Sequence, residues 1–393
     1  MHSTLQVPHS PERQRVSIGH LPVELMMMIF HEVYELGLDW SAAAELPTLA
    51  TVYYPSSTIF PNALAMVCSA WRNTLSSVPF FWTRVAIAID GNPTLIEGSF
   101  EWSRPLPIDV LVSPYSSTCD ENPGEGHRVE AVMRYLVPEL HRCRSIRFNT
   151  IQVSSLPPLQ AFSGQAPLLR QLELGCTPYY PWAEEEPGDV AVPLDLVCPE
   201  LEKLHLNGRN FCNVCPPKSQ SGPSFTYDLW LSHLPKLTSL AITNYGVGSG
   251  KMGLRMAEML RALQELPHLA HLTIKNIHFD KESPSHVYTL SSAIRHLEFS
   301  GLPNGVYLFF GAAALQERID TMCIAQCNVN HVRWGTISCA KLTLQRIDAH
   351  YDIAQIINHS DISELYVDEC PSFGDNPSAC STSLIATISR WER

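Results

Sequence analysis

The 393-residue sequence predicts an α/β protein. A small all-α segment comes first, followed by an irregular solenoid: a curved parallel sheet with uneven outer helices and loops. Three patterns predict it. Apolar residues near the N-terminus recur at helical spacing. Beyond about residue 140, a six-residue phrase, apolar-x-x-apolar-x-apolar, keeps returning. Prolines such as Pro199, Pro235 and Pro267 stand just before copies of that phrase and mark the turn into each one.

The first helix starts at Pro22, whose ring presets a helical φ where the missing N–H is not needed. Leu21, Leu25, Met28, Ile29 and Val33 then follow at steps of three and four, on one face. A second helix is predicted over 62–77, with Asn62 as its cap and Pro79 as its stop. Leu64, Val67, Cys68, Trp71 and Leu75 form its apolar stripe. Two such helices need each other and one further partner to bury both stripes. Residues 37–60 are Ala-, Ser- and Pro-containing and look inserted between the helices. Residues 1–16 are predicted to be a disordered tail, 17–82 the helical domain and 83–393 the repeat domain.

The bridge between the two parts alternates like a strand over Phe81–Ile87, runs from Phe100 into a second strand at Val110, and predicts a helix from about Val129 to Leu140. The repeated phrase begins at Cys143–Phe148. It continues at Leu169–Leu174, Leu201–Leu206, Leu237–Ile242, Leu269–Ile274, Ile294–Phe299 and Ile319–Ile324, with fainter copies at Leu344–Ala349 and Ile362–Val367. Alternation sends the last two apolar side chains inward and their neighbours outward. One strand leaves its inner face bare, so neighbouring units must stack. Spacings of about 18 to 36 residues are wider than the 20–29 of regular repeats, which predicts uneven outer connections, with one clear helix over Met252–Leu266.

Composition narrows the function classes. A net charge of −12 and a pI near 5.7 argue against nucleic-acid binding by the overall field. No run of about 18 apolar residues predicts a membrane span. The N-terminus has no apolar signal-peptide core. Twelve scattered cysteines without a repeating framework predict free thiols in a reducing compartment, hence a cytoplasmic or nuclear protein.

Leu21-Pro22-Val23-Glu24-Leu25, then Val67-Cys68-Ser69-Ala70-Trp71-Arg72, then Pro79-Phe80-Phe81-Trp82, resemble an F-box in that order. The repeated phrase resembles the strand segment of leucine-rich repeats. Between them lies Trp102-Ser103-Arg104 followed by Pro105-Leu106, and the whole arrangement is similar to the large F-box families of mushroom-forming fungi. The likeness covers most of the chain, strongly to about residue 150 and loosely beyond. It implies a substrate-recruiting subunit of an SCF-type ubiquitin ligase. A Skp-type adaptor, and through it a cullin–RING core, would meet Leu21, Pro22, Leu25, Ile29, Leu64, Val67, Cys68, Trp71 and Trp82. A protein substrate would meet the repeats. No catalytic residue, cofactor or metal is implied. The 37–60 segment departs from the family pattern. A non-ligase leucine-rich-repeat scaffold is the second reading, and a hydrolase or metalloenzyme the third.

Outward residues of the repeats are the first candidate substrate surface: Gln171 and Glu173, Lys203 and His205, Ser239 and Ala241, His271 and Thr273, His296 and Glu298, Thr321 and Cys323, Arg346 and Asp348, Glu364 and Tyr366. His205, His271, His296 and Tyr366 carry the most recognition chemistry among them, and His271 and His296 fall in one column of successive repeats. Tyr179, Tyr180 and Trp182, in an acidic aromatic loop, are the second candidate surface. Signals for chemistry are poor. Cys212 and Cys215 have the spacing of half a zinc site without a second half. Gly246–Lys251 is too short for a phosphate loop, and Met252 stands where Ser or Thr belongs. The first of seven lysines is Lys203, so no lysine precedes it and arginine supplies the permanent positive charges there.

Overall fold

A computed structural model of the chain describes residues 21–36, 60–89, 94–114, 124–176, 194–215, 230–246, 253–280, 286–329, 332, 337–347, 361–368 and 384–387. The predicted tail and nearly all of the 37–60 segment lie outside these residues.

The described helices are α1 (Val23–Leu36), α2 (Asn62–Ala65), α3 (Ser69–Ser76), α4 (Thr94–Trp102), α5 (Glu125–Leu136), α6 (Gly208–Val214), α7 (Met256–Gln264) and α8 (Gly305–Ala312). Twelve strands form one sheet: β1 (Arg84–Ala88), β2 (Ile108–Ser113), β3 (Cys143–Thr150), β4 (Gln171–Cys176), β5 (Lys203–Asn207), β6 (Ser239–Tyr245), β7 (His271–Ile277), β8 (His296–Ser300), β9 (Ile319–Ala325), β10 (Ser338–Gln345), β11 (Asp361–Asp368) and β12 (Leu384–Thr387). Their order in the sheet is their order in the chain. Every neighbouring pair is parallel except the last, β11 with β12. The α/β class with a long parallel sheet therefore stands.

The phrase works as its alternation requires. Leu172 and Leu174, Leu204 and Leu206, Leu240 and Ile242, and Leu272 and Ile274 align strand to strand and are buried. The leading residues Leu169, Leu201, Leu237 and Leu269 are buried beneath them, from the approaching turn, and Cys143 is buried at the start of β3. The ladder begins one residue ahead of each strand: Ala270 N–H donates to the Thr238 carbonyl at 2.8 Å, and Arg295 N–H to the Ala270 carbonyl at 2.9 Å. Pro199, Pro235 and Pro267 each open the turn that precedes a strand.

The strands also leave the sheet alike. Asn244, Asn276, Gly301, Gln326 and Arg346 all have positive φ, between 50° and 63°. The pairings place them at one register position on consecutive strands. Asparagine tolerates this left-handed conformation better than most residues, and glycine adopts it freely. Asn276 Nδ2 donates to Asn244 Oδ1 at 3.1 Å, so part of the column is bonded to itself.

Five sequence expectations need correction. The second N-terminal helix is broken into α2 and α3, because Cys68 is extended (φ −161°, ψ 166°). Pro61 precedes α2, so Asn62 is its first residue and not its cap. The faint repeat at Leu344–Ala349 is out of register: the strand is β10, and its phrase is Cys339-x-x-Leu342-x-Leu344. Arg346 already lies in the left-handed turn, and Asp348 is outside the described residues; Lys341 and Thr343 take their places. The helix expected over Val129–Leu140 starts earlier, at Glu125, and tightens to a 3₁₀ turn from Val137, where Pro138 cannot continue the α-helical ladder. The helix expected from Met252 begins at Met256; Leu254 instead bridges to Phe279.

One buried cation ties α4, the Ser103–Leu106 turn and β3 together. Arg142, 5% exposed, pairs with Glu139 at 2.6 Å. Its guanidinium also donates to Ser103 Oγ (2.9 Å), the Leu106 carbonyl (3.0 Å) and the Phe100 carbonyl (2.8 Å). Removing one partner from such a network leaves the others desolvated and unsatisfied. Arg142→Met is expected to lower unfolding stability by about 3 kcal/mol, read from urea denaturation; a change below about 0.5 kcal/mol would remove the network from the account.

Candidate functional site

Two apolar clusters divide the molecule. The sheet and its outer elements share one. The other is a small aromatic core in the helical module, made by Met26, Phe30, Tyr34, Ala65, Leu75, Phe81 and Trp82. Phe30 meets Trp71 edge-on at 5.2 Å, and Phe60, Phe80 and Phe81 surround Tyr34. Tyr34 also reaches the start of the sheet: its hydroxyl is 3.2 Å from Thr83 Oγ1, and the Arg84 guanidinium lies 4.2 Å above its ring.

α1 packs inward on a face other than the predicted stripe. Met26, Phe30 and Tyr34, at steps of four, are the buried face. The predicted stripe faces solvent: Leu25 is 45% exposed, Ile29 44% and Met28 65%, with Val33 and Leu36 exposed beside them. On a helical wheel Leu25, Ile29 and Leu36 fall within about 40° of one another, well away from the buried face. Leu21 is partly buried against the aromatic core, and Pro22 is exposed. α1 is thus apolar on two faces, one of which covers nothing among the described residues.

The break between α2 and α3 adds to the exposed apolar surface. Val67 is 58% exposed and Met66 62% exposed. Cys68 is exposed as well. Arg72 Nε holds the break by donating to the Ala65 carbonyl at 3.2 Å. Leu64 and Trp71 are partly buried against the core. Trp82 corrects the expectation that it meets a partner. It is 1% exposed, donates from Nε1 to the Leu75 carbonyl at 2.9 Å and meets Trp102 edge-on at 4.4 Å. It is the pin between the helical module and α4. Met66 and Phe80 also belong to the exposed apolar set, and helical periodicity does not single them out: Met66 ends α2 beside the break, and Phe80 lies in the 3₁₀ turn over Pro79–Trp82.

The second surface is the open face of the sheet. His271 and His296 face each other across β7 and β8, rings stacked at 4.3 Å and 8° from parallel. His296 Nδ1 lies 2.7 Å from Thr321 Oγ1. Burial, then the neighbouring His296 and Lys203, hold the His271 imidazole below its ordinary pKa. His205 is half-buried and bonded to Thr243 Oγ1 at 2.9 Å. Burial lowers its pKa in spite of Glu173. Tyr366 donates its hydroxyl to Glu364 Oε2 at 3.1 Å, which raises the phenol pKa, while Lys341 sits 4.2 Å over its ring. Tyr179, Tyr180 and Trp182 lie outside the described residues.

Cys212 lies in α6 and Cys215 just after it, where burial raises the Cys215 thiol pKa. No group of three or more His, Cys, Asp or Glu among the described residues is arranged to hold a metal ion. No helix among them is long and apolar enough to cross a membrane. No protein-family model and no curated protein matches the chain.

Two outcomes follow from these placements. Ile29→Ala is expected to change stability by less than about 0.5 kcal/mol, whereas Phe30→Ala, one position along, costs about 3–5 kcal/mol; equal effects in denaturant titrations would mean that the buried face of α1 is misassigned. Burial pushes the Cys143, Cys198 and Cys339 thiols up to about 12. Thiol-directed labelling of the folded chain at pH 8 is therefore expected to mark exposed Cys68 and leave those three unmodified, as mapped by mass spectrometry.

Proposed function

We propose that the chain is the substrate-recruiting F-box subunit of an SCF-type ubiquitin ligase. Its helical module docks a Skp-type adaptor and its repeats hold a protein substrate. One observation carries the reading: α1 spends one face on its own aromatic core and leaves Leu25, Met28, Ile29 and Leu36 exposed on another. A single contiguous apolar face of this kind on a small helical module favours a protein partner. Leu25, Ile29, Val67 and Cys68, which the F-box resemblance assigns to the adaptor, are exposed. Leu21, Pro22, Leu64 and Trp71 flank them, while buried Trp82 acts from within as a structural residue.

The chain then performs no bond chemistry of its own. It works by proximity, holding a lysine of the substrate near a charged conjugating enzyme and so raising the effective concentration of the reacting groups. Rigidity between the two ends serves that purpose. Trp82 against Trp102, and Arg142 against the Ser103–Leu106 turn, join the docking module to the first strands. The absence of lysine before Lys203 fits the same reading, since the part nearest the ligase core then offers no side-chain acceptor. A cytoplasmic or nuclear location goes with this function.

The test is co-purification with a Skp-type adaptor. Leu25→Glu combined with Ile29→Glu places two charges on the exposed face and none in the core. Binding is expected to weaken at least a hundredfold, with the thermal unfolding curve unchanged. Unaltered binding by the folded double variant would reject this interface. Failure of the unmodified chain to bind any Skp-type adaptor would favour a scaffold outside the ligase.

A further inference from the structure

The open face of the sheet between β5 and β10 is charged unlike the rest of the chain. The whole protein carries a net charge of −12. Yet the residues that register onto this face from β5 to β10 include a single carboxylate, Glu298. That carboxylate is already engaged, by Lys275 at 2.8 Å and Thr273 at 3.3 Å. Around it stand Lys203, Lys341 and the imidazoles of His205, His271 and His296, with hydroxyls of Ser239, Thr321 and Thr343 between them. Acids bound the face at either side: Glu173 in β4, which pairs with Arg147, and Glu364 in β11. At the rim where the strands begin, Glu202 and Glu317 pair with Arg170 and Arg295, and Asp320 is exposed.

This distribution favours an anionic partner on an otherwise acidic protein. Lys203 and Lys341 lie five strands apart, about 24 Å at ordinary strand spacing. An extended peptide spans that distance with about seven residues. The cationic groups are point donors strung across the face, with no arginine among the outward residues of β5–β10. A phosphate group is best held by a convergent arginine fork. Spaced carboxylates suit a row of lysines and imidazoles better. The stacked histidine pair sits midway, where an incoming carboxylate would accept from an imidazole N–H.

We propose that the open face of β5–β10 binds an extended acidic peptide segment of a protein partner, its carboxylates meeting Lys203, the His271–His296 pair and Lys341. The inference names the partner class for the recruiting face of the function proposed above, but its assay needs no adaptor.

The probe is a fluorescein-labelled eight-residue peptide alternating Glu and Ala, titrated with the full chain at low salt and followed by anisotropy. Saturable binding is expected. Lys203→Ser with Lys341→Ser should weaken it at least tenfold, and His271→Gln with His296→Gln at least threefold. Lys236→Ser, which removes the Glu200 pair in the turn before β6, should leave it unchanged. Unfolding curves of each variant exclude loss of the fold. Absence of binding, equal binding of the matching Lys-Ala peptide, or full binding by the Lys203/Lys341 variant would overturn the inference. A phosphoserine peptide of the same net charge binding tenfold tighter would overturn the choice of carboxylate. Adaptor binding is read on the same preparations. Peptide binding without adaptor binding sinks the ligase reading alone, and the converse sinks this inference alone.

Discussion

Each strand from β4 to β11 buries an alternating pair of side chains, from Leu172 and Leu174 to Leu365 and Val367, and leaves them uncovered unless another strand lies beside it. That constraint organises the molecule. Leu172 needs Leu204 next to it, Leu204 needs Leu240, and Leu240 needs Leu272. The connections are free to vary so long as each returns the chain to the same register. They do vary, from the short α6 to the well-packed α7 and the wholly apolar α8. The left-handed column from Asn244 to Arg346 shows the same economy at the other end of the strands, where the chain must turn away at a shared position whatever follows.

The helical module obeys the constraint at the sheet's first strand. β1 is buried along nearly its whole length, and Trp82, Thr83 and Arg84 connect it to α1, α3 and α4 through a hydrogen bond to Leu75, a ring contact with Trp102, a hydroxyl pair and a cation over Tyr34. Aromatic residues are suited to this joint, since each brings a large apolar area with few torsions to fix. The joint also explains how α1 can keep an apolar face in water. Phe30 and Tyr34 supply enough burial to hold the helix, so Leu25 and Ile29 are left over for something else.

Much of the sheet was legible because its signal is repeated. Periodicity places Leu169, Leu201, Leu237 and Leu269 correctly, and their register puts His271 beside His296. The mistakes fall where a pattern occurs once or in two versions. Around β10, Leu344–Ala349 and Cys339–Leu344 both satisfy the phrase, and only treating Cys339 as apolar, as at Cys143, selects the true one. In α1 two apolar faces share one helix, and helical spacing alone does not say which of them packs inward. Trp82 looks like a recognition residue when judged by type and position. Its burial depends on Leu75 and Trp102, the second of them twenty residues away in sequence. The kink at Cys68 leaves no trace in composition.

The two surfaces are chemically distinct. One is apolar and small, on a helix braced by an aromatic core. The other is broad, hydroxyl-rich and mildly basic, on a parallel sheet. The proposed function would link two different partners at a fixed geometry and would need this division, with α1 providing the first of the two contacts. Hydrogen–deuterium exchange of the chain with and without a Skp-type adaptor tests it most directly. The account predicts slowed exchange over α1 and around Met66–Trp71, with β5–β10 unchanged. Protection confined to the sheet, or a complex that forms while α1 exchanges at its free rate, would contradict it.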